Sequence, residues 1–419
     1  MDARGQTLGE RVGKFGALRV FQYKDFRWLW IGAFLSFTGS VIQGVAQQDL
    51  VFAITQSPAK LAMVSFAMMA PVSLLGPILG VVADMFDKRR LLVLCMVISA
   101  IGPLALGWAG HLHILQYWMF VVTSLVSGFV QCVEVPTRQS VIRCVVADRD
   151  LAAAIPVQAS TFNMARVIGP PIGGLVALKL GAETCFVLNG LSFFALAFAA
   201  LAIKANLKPL TQRVEPVKDL VLEGFRYTFR TRALRTLFIL ESATAVFGTF
   251  FISQMSALAQ KHLGLDPKTG TAACFTAFGV GALFGLFSTA TLSGRPLKPF
   301  LVRFAMTGMA FGVIALGLVR TEWAALGILA TLGAFSIMQF NTTNTLFQLI
   351  APPALRGRVI SMHVWAIAGV APVGVLLFGN IAEWLGIGTS LMIAGACLAF
   401  FAAWGWTQKQ HVTEPAALA

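Results

Sequence analysis

Long apolar stretches joined by short polar connections make up most of this chain of 419 residues. About twelve of them are long enough to cross a bilayer, a distance that takes roughly 20 residues in helical form. A backbone in hydrocarbon must satisfy its own hydrogen bonds, and the alternation typical of barrel strands is absent, so helices are predicted. The predicted spans cover residues 28–53, 61–83, 91–109, 116–135, 153–178, 185–203, 236–259, 271–292, 300–319, 324–350, 359–382 and 389–406.

The composition agrees with a membrane protein. Hydrophobic residues form 57% of the chain and charged residues only 12%, which excludes an ordinary water-soluble domain. The predicted fold class is therefore all-α integral membrane, with twelve transmembrane helices. The six cysteines are scattered, and His111 and His113 have no carboxylate or thiol beside them, so no metal site is expected. The sequence contains no nucleotide-binding loop and no cluster of acidic residues, so we do not expect an enzyme.

The basic residues predict the orientation of the chain. Of its 32 Lys and Arg residues, 26 fall on alternate connections that share one side of the membrane, and five fall on the other side. Arg166 lies within a span. The positive-inside rule then places both termini in the cytoplasm. The net charge of +14 is explained by this rule and by anionic membrane lipid, and we expect no binding of nucleic acid.

The longest polar interruption divides the spans into six and six. We predict a cytoplasmic N-terminal segment (1–27), a first six-helix bundle (28–203), a cytoplasmic linker (204–235), a second bundle (236–406) and a cytoplasmic tail (407–419). Within the linker, residues 217–232 carry apolar side chains near one helical face and predict an amphipathic helix. Residues 136–151 and 341–358 echo each other at an offset of about 204, as parallel repeats of transporters do.

A loop between the second and third spans carries a family resemblance. It resembles the signature loop of the major facilitator superfamily, G-x-x-x-D-R-x-G-R-R, with Met85 and Asp87 in place of the usual Arg and Gly. The resemblance implies two six-helix bundles, a monomer, and a gating loop that holds the bundles in one access state. The residues concerned are Gly80, Asp84, Asp87, Lys88, Arg89 and Arg90. The alternative for Lys88 and Arg89 is that they only set the topology.

Two further stretches are similar to exporter subgroups. Residues 134–174 resemble those of enterobactin exporters, and their last part resembles the G-x-x-x-G-P-x-x-G-G motif of drug:proton antiporters, with Ala165 at the leading glycine. This resemblance implies export from the bacterial inner membrane, driven by the proton gradient without a bound cofactor. The motif residues that would bend the helix are Gly169, Pro170, Gly173 and Gly174; plain helix packing is the alternative.

Charged residues inside a membrane are costly and so are functional candidates. Glu134 and Arg138 belong to a polar stripe on span four, and Arg166 lies on span five. A Glu134–Arg166 pair across the two spans would break when a proton binds Glu134, which makes it a candidate switch. A static pair and a local Glu134–Arg138 contact are the alternatives. Asp49 points away from the polar stripe of span one and is a second candidate for proton coupling, near the outer mouth.

Neutral polar residues at helical spacing predict a substrate cavity. Hydroxyl and amide groups can bind a substrate without placing charge in the membrane. The candidates are Ser36, Ser40, Gln43 and Gln47 on span one, Gln131 on span four, and Asn341, Asn344 and Gln348 on span ten. Glu241 lies early in span seven. Polar contacts between helices are the alternative for the span-ten residues and Glu241.

These observations favour a secondary active exporter of small amphipathic organic molecules of the drug or siderophore type. Two alternatives stay open from the sequence. One is a membrane protein that translocates or senses lipids or lysolipids, which a cavity opening sideways to lipid would favour. The other is an importer of the same fold, because the residues do not show the direction of transport.

Overall fold

The computed structural model describes residues 18–84, 86–208, 217–292, 296–352 and 355–408. Within these ranges the side chains of residues 18, 76–84, 152 and 217–221 are not described. Gly80 and Asp84 of the predicted gating loop therefore belong to a stretch described by its backbone alone. The first part of the N-terminal segment and most of the predicted tail lie outside the described residues.

The first six spans form consecutive long helices. They are α1 (Lys24–Thr55), α2 (Pro58–Asp84), α3 (Lys88–His111), α4 (Tyr117–Val145), α5 (Asp148–Leu180) and α6 (Ala182–Ala202). The linker then forms α7 (Val217–Arg230). The second set is α8 (Arg232–His262), α9 (Gly270–Leu292), α10 (Lys298–Leu318), α11 (Glu322–Ile350), α12 (Arg356–Leu385) and α13 (Ile387–Thr407).

Eleven of the described helices have the length and hydropathy of a membrane span, and α5 is the twelfth long helix of the bundle. The twelve predicted spans each correspond to one of these helices, which confirms the fold class. The largest difference is in α4, which continues ten residues past its predicted end at 135 to Val145. Its last turns are too polar to read as a span, but they stay helical because Thr137, Arg138 and Val141 are buried against neighbouring helices.

The helices α8 and α12 are not regular throughout. In α8 a π-helical turn covers Thr244–Gly248, followed by a 3-10 segment, Phe250–Gln254, and a second π-helical turn, Leu258–His262. In α12 a π-helical turn covers Trp365–Gly369. Such turns interrupt the regular hydrogen-bond ladder and are frequent at functional sites.

The two halves repeat each other in space. The packing of α2 on α4 and of α3 on α6 recurs as α9 on α11 and α10 on α13. Gly181 before α6 and Gly386 before α13 turn the chain with positive φ of 92° and 83°. Cys185 Sγ donates to the Gly173 carbonyl, and Ser390 Oγ donates to the Phe378 carbonyl twelve residues earlier in the same way. Gly181 and Gly386 are 205 residues apart, as are Cys185 and Ser390, which is close to the predicted offset of about 204. The halves meet where α2 packs on α12 and α5 packs on α9.

Alternate helix connections lie at the same end of the bundle, and the two ends are called the linker face and the far face. The linker face carries the 203–208 stretch, α7 and the turns at 86–87 and 146–147. The far face carries the turns at 56–57, 112–116, 181, 263–269, 319–321 and 386.

The linker is attached to both halves. At its start the Asp25 carboxylate accepts hydrogen bonds from the backbone N–H groups of Lys204 and Ala205. Its helix α7, predicted at 217–232, packs on α12, where Glu223 forms a salt bridge with Arg358. The linker therefore runs from a contact with the first half to a contact with the second.

Candidate functional site

Asp49 joins the two halves near the far face. It lies six residues before the end of α1, about 9 Å from that end at the usual helical rise. Its Oδ1 accepts hydrogen bonds from Ser256 Oγ at 2.7 Å, Gln260 Nε2 at 3.1 Å and Thr271 Oγ1 at 2.5 Å. All three donors belong to α8 and α9 of the second half. Bonds to an ionised acceptor are about twice as strong as neutral ones, so this carboxylate is a strong tie between the halves.

Further hydrogen bonds close the same end of the bundle. Glu383 of α12 accepts hydrogen bonds from Ser57 Oγ at 2.7 Å and from the Ala59 backbone N–H at 3.3 Å. Gln254 of α8 donates to the Pro58 carbonyl at 3.0 Å. Near the middle of the bundle Ser73 donates to the Ala368 carbonyl at 2.8 Å. Ser73 is the closest of these residues to the linker face. The halves are thus tied at the far face.

The polar stripe of α1 turns toward its own half. Asn189 of α6 donates to Gln43 Oε1 at 2.6 Å, and Gln43 Nε2 donates to Gln47 Oε1 at 3.1 Å. Gln47 in turn donates to Ser124 of α4 at 3.1 Å. Ser40 donates to Asn189 Oδ1 at 3.3 Å and to the carbonyl of the buried Ser36. The stripe is therefore a hydrogen-bonded network between α1, α4 and α6, with Ser40, Gln43 and Gln47 half-buried.

The polar stripe of α11 has a different environment. Asn341 and Asn344 are half-buried and Gln348 is exposed. Gln348 Nε2 donates to Asn344 Oδ1 at 3.1 Å, and the described residues of other helices supply no hydrogen bond to the three amides. Gln131 on α4 is half-buried, and its amide likewise has no hydrogen-bond partner among the described residues. The amides of α11 lie toward the linker face, and Gln131 lies at the middle of α4.

Glu134 pairs within its own helix. Its Oε1 lies 2.6 Å from Arg138 Nε, and both residues are buried, at 7% and 8% exposed. The predicted Glu134–Arg166 pair across α4 and α5 is therefore wrong, and the local contact is present. The reason is geometric, since residues four apart on a helix face the same side.

Arg166 has an aromatic environment. Its guanidinium lies 4.6 Å from the centre of the Phe162 ring, and the Arg138 guanidinium lies 4.6 Å from the Phe37 ring. The two rings meet edge to face at 5.4 Å. Arg166 is half-buried and has no ion-pair partner among the described residues. Cation–π contacts stabilise such cations without neutralising them.

The loop between α2 and α3 contacts the linker. Asp87 Oδ1 caps α3 by accepting a hydrogen bond from the Arg90 backbone N–H at 3.0 Å. Arg89 donates to the carbonyls of Ile203 and Ala205 at 2.6 and 3.1 Å. The Lys88 backbone N–H donates to the Leu207 carbonyl at 3.1 Å, and its side chain is buried. A cation at the last carbonyls of α6 is favourable, so Arg89 has a structural contact in addition to any effect on topology.

The glycines of the 169–174 motif lie at close helix contacts. A Cβ on Gly169 would lie 2.7 Å from Val41, and a Cβ on Gly173 would lie 3.2 Å from the Ile42 backbone of α1. A Cβ on Gly174 would lie 2.5 Å from Ala272 of α9. Pro170 lies inside α5 beside them. The motif therefore allows α5 to approach α1 within its half and α9 across the halves, as small residues do in membranes.

An apolar groove of about 480 Å³ opens between α5 and α9. Its walls include Leu175 and Leu178, which are 53% and 47% exposed on the outer surface of the bundle. The groove lies next to the contact of α5 with α9, where the two halves meet.

A buried acid–imidazole pair lies in the second half. Glu241 Oε2 is 2.6 Å from His363 Nδ1, and the residues are 3% and 1% exposed. The sequence singled out Glu241 because it is charged inside a span, but it did not identify His363 as its partner. His363 lies close to the polar end of α12. The sequence signal that could have identified it as the partner is an ionisable residue in another span at a depth similar to that of Glu241.

The fold and this site define a class of protein. Two six-helix halves repeated in parallel, tied at one end and with polar groups between them, are characteristic of a major facilitator superfamily transporter. The sequence pattern of the family described as transmembrane secretion effector matches residues 15–418, and the chain belongs to this family.

Individual relatives agree with this class. The staphyloferrin A transporter of Staphylococcus aureus is 24% identical over 377 residues, which cover 88% of this chain and 92% of the relative. The multidrug efflux pump Tap of Mycolicibacterium fortuitum is 25% identical over 364 residues, or 83% of this chain and 87% of the relative. The solved structure of a D-xylose-proton symporter shares the fold, with a TM-score of 0.72 at 16% identity, over 91% of this chain and 96% of that one.

Proposed function

We propose that the protein exports small amphipathic organic molecules by alternating access, in exchange for protons. The observation that carries the proposal is the tie of Asp49 to Ser256, Gln260 and Thr271, which closes the far face between the halves. The amides of α11, which bond to no other described helix, lie toward the other end. With the linker face in the cytoplasm, as the basic residues predict, the site in this state is accessible to a cytoplasmic substrate.

The chemistry of the site supports an organic substrate with both apolar and polar parts. Asn341, Asn344 and Gln348 supply neutral donors and acceptors, while Phe162 and Arg166 supply an aromatic face beside a cation. Such a mixture of apolar wall and few polar groups is typical of small-molecule sites. Two relatives, a siderophore transporter and a multidrug efflux pump, are named for cargo of this kind. Because a sugar symporter shares the fold, the fold favours neither direction, and export is proposed from the similarity to a multidrug efflux pump.

The test is transport by the purified chain in proteoliposomes with an imposed pH gradient. The panel contains siderophores, cationic drugs and lysolipids. Movement of one organic class against its own gradient, with protons moving in the opposite direction, is the expected result. Substrate and protons moving in the same direction would instead establish an importer.

Alternating access is tested by holding the far face shut. Ser57 and Glu383 are hydrogen-bonded across the halves, so the double variant Ser57→Cys with Glu383→Cys can be joined by a short thiol crosslinker. We expect transport to stop after crosslinking of the double variant and to continue in each single variant treated in the same way. Continued transport by the crosslinked double variant would contradict the proposal.

A second candidate is favoured by the groove between α5 and α9. Its apolar walls open toward lipid, beside the contact between the halves, which is the geometry that a protein moving lipids or lysolipids would need. In the same assay this candidate predicts flux of lysolipids with no flux of siderophores or drugs.

A further inference from the structure

The Glu241–His363 pair lies inside the second half, beside α11. Glu241 is nine residues into α8 and His363 is seven residues into α12, so they lie about 14 and 11 Å from the linker-face ends of their helices. Their 2.6 Å contact joins the two helices. The His363 ring packs between Phe340 and Phe347 of α11, with ring centres 5.3 and 5.4 Å away.

The protonation state of the pair determines how much its burial costs. With His363 neutral and Glu241 ionised, the pair carries one negative charge among apolar side chains, which is costly in a low-dielectric interior. In that state His363 Nδ1–H donates to Glu241 Oε2. One added proton enters at His363 Nε2 and the Nδ1 proton passes to Glu241 Oε2, so that the pair becomes neutral and Oε2–H donates to Nδ1. The geometry therefore favours a pair that takes up one proton.

No other charged group neutralises the pair. Within the described residues, neither Glu241 nor His363 has another ion-pair or hydrogen-bond partner. Helices α9 and α13 contain no charged residue. The linker-face ends of α8 and α12 carry four charged residues: Arg232, Arg235, Arg356 and Arg358. The other helices packed nearby, α2, α7, α10 and α11, carry Lys60, Asp84, Lys218, Asp219, Glu223, Arg226, Arg230, Lys298, Arg303 and Glu322. Of these, Glu223 pairs with Arg358, and Arg303 lies over the Trp406 ring.

Buried polar atoms without partners occur on the helices that carry the pair and on α11, which packs against His363. His363 Nε2 and the hydroxyls of Ser242, Thr342 and Thr343 are buried without a hydrogen-bond partner, as is Gln339 Oε1. Buried polar groups are normally satisfied by protein or by ordered water. His363 Nε2 itself is one of these atoms, so the ring keeps a free nitrogen at which a proton can be received.

The pair also lies at the irregular points of both helices. The π-helical turn Thr244–Gly248 begins three residues after Glu241, and the turn Trp365–Gly369 begins two residues after His363. Phe238 stacks on Trp365 at 5.9 Å, which links the two segments. Beyond these turns, α8 and α12 carry Ser256 and Glu383, which tie the halves together at the far face. Protonation of the pair would therefore act next to the irregular turns of α8 and α12, the two helices that carry these far-face contacts.

We propose that Glu241 and His363 together form the binding site for the coupling proton, and that its occupancy sets the bend of α8 and α12 and so the closure of the far face. This inference rests on the proposed proton-coupled transport, but the presence of the proton site can be measured without any substrate.

The direct test is infrared difference spectroscopy of the purified full chain between acidic and alkaline buffers. We expect the carboxylic acid band of a protonated buried carboxyl in the wild-type protein, and its loss in Glu241→Gln. Glu322→Gln is the matched control, because Glu322 is an exposed far-face glutamate, and it should keep the band. An unchanged band in Glu241→Gln would overturn the inference. If that variant does not fold, His363→Asn must shift the band, and an unshifted band has the same consequence.

The transport test separates this inference from the proposed function. In Glu241→Gln we expect transport driven by the pH gradient to fall at least about tenfold, within the usual range of coupling between sites. Exchange of labelled for unlabelled substrate, which needs no net proton movement, should continue. If the wild-type protein moves no organic substrate, the proposed function fails. If it does and Glu241→Gln remains coupled to protons, only the present inference fails.

Discussion

Glu134 and Arg138 form a salt bridge of 2.6 Å within α4, and the Arg138 guanidinium also lies 4.6 Å from the Phe37 ring of α1. The same arginine therefore neutralises an acid of its own helix and binds a neighbouring one. Arg166, on α5, is left with an aromatic partner only. Two arginines in adjacent helices thus have different partners, a carboxylate and a ring for Arg138 and a ring for Arg166.

Replacing Arg138 should destabilise the protein strongly. Arg138→Met leaves the buried Glu134 carboxylate without a partner, and breaking a buried pair in this way costs about 3–5 kcal/mol. The measurement is the thermal unfolding midpoint in detergent. Arg166→Met is the matched control and should lower the midpoint much less, because no carboxylate loses a partner. Adding Glu134→Gln to Arg138→Met should recover part of the loss, and failure to do so would contradict the pairing as its cause.

Asp49→Asn should open the far face. The amide keeps an acceptor oxygen but loses the charge that strengthens three hydrogen bonds to α8 and α9. We expect the population that is open at this end to rise by about 5- to 150-fold, the usual range for such coupling. Spin labels at His111 and Lys268, exposed residues of the two halves, report the separation. An unchanged distance distribution, equal to that of Glu322→Gln, would show that Asp49 does not hold the gate.

The glycines of α9 should not tolerate a methyl group where they meet α11. A Cβ on Gly281 would overlap the carbonyl oxygen of Ala330, and a Cβ on Gly285 would overlap that of Ala334. Gly281→Ala should therefore separate the helices and cost at least about 1–3 kcal/mol of stability, measured by thermal unfolding. Gly327→Ala on α11 has open space around it and should leave the midpoint unchanged. Equal midpoints for the two variants would contradict this close contact.

The two polar stripes should respond differently to substitution. Asn189 is buried and bonded to Gln43 at 2.6 Å, so Asn189→Ala should cost about 0.6–1.7 kcal/mol of stability, as interhelical hydrogen bonds in membranes do. Asn344 has no partner on another described helix, so Asn344→Ala should keep its stability and lower the apparent affinity for substrate. The pair of thermal midpoints, together with transport at several substrate concentrations, checks both expectations. The opposite assignment would mean that the stripe of α1 lines the substrate path.

Most of the fold could be predicted because one physical rule dominates it. A bilayer accepts only long apolar helices, so the hydrophobic pattern alone located all twelve spans and the amphipathic α7. The end of α4 was missed, since its last turns are held by tertiary contacts of Thr137 and Val141 and not by hydropathy.

Partners of polar residues could not be predicted in the same way. Helical spacing shows which side chains share a face, but not which helix that face meets. The stripe of α1 was predicted to line a cavity, and its amides bond to Asn189 and Ser124 within their own half. Asp49 was correctly predicted to point away from this stripe, but its three partners come from α8 and α9, more than 200 residues away.

The amino-acid sequence by itself determined the number of spans, their division into two halves and the expected orientation, because apolar length and the placement of Lys and Arg act locally against the membrane. Tertiary structure decided the pairing of Glu134 with Arg138, the tie at Asp49 and the contact of Glu241 with His363. These contacts depend on how helices from distant parts of the chain rotate and pack against each other, and a few ångströms of rotation decide which polar groups meet.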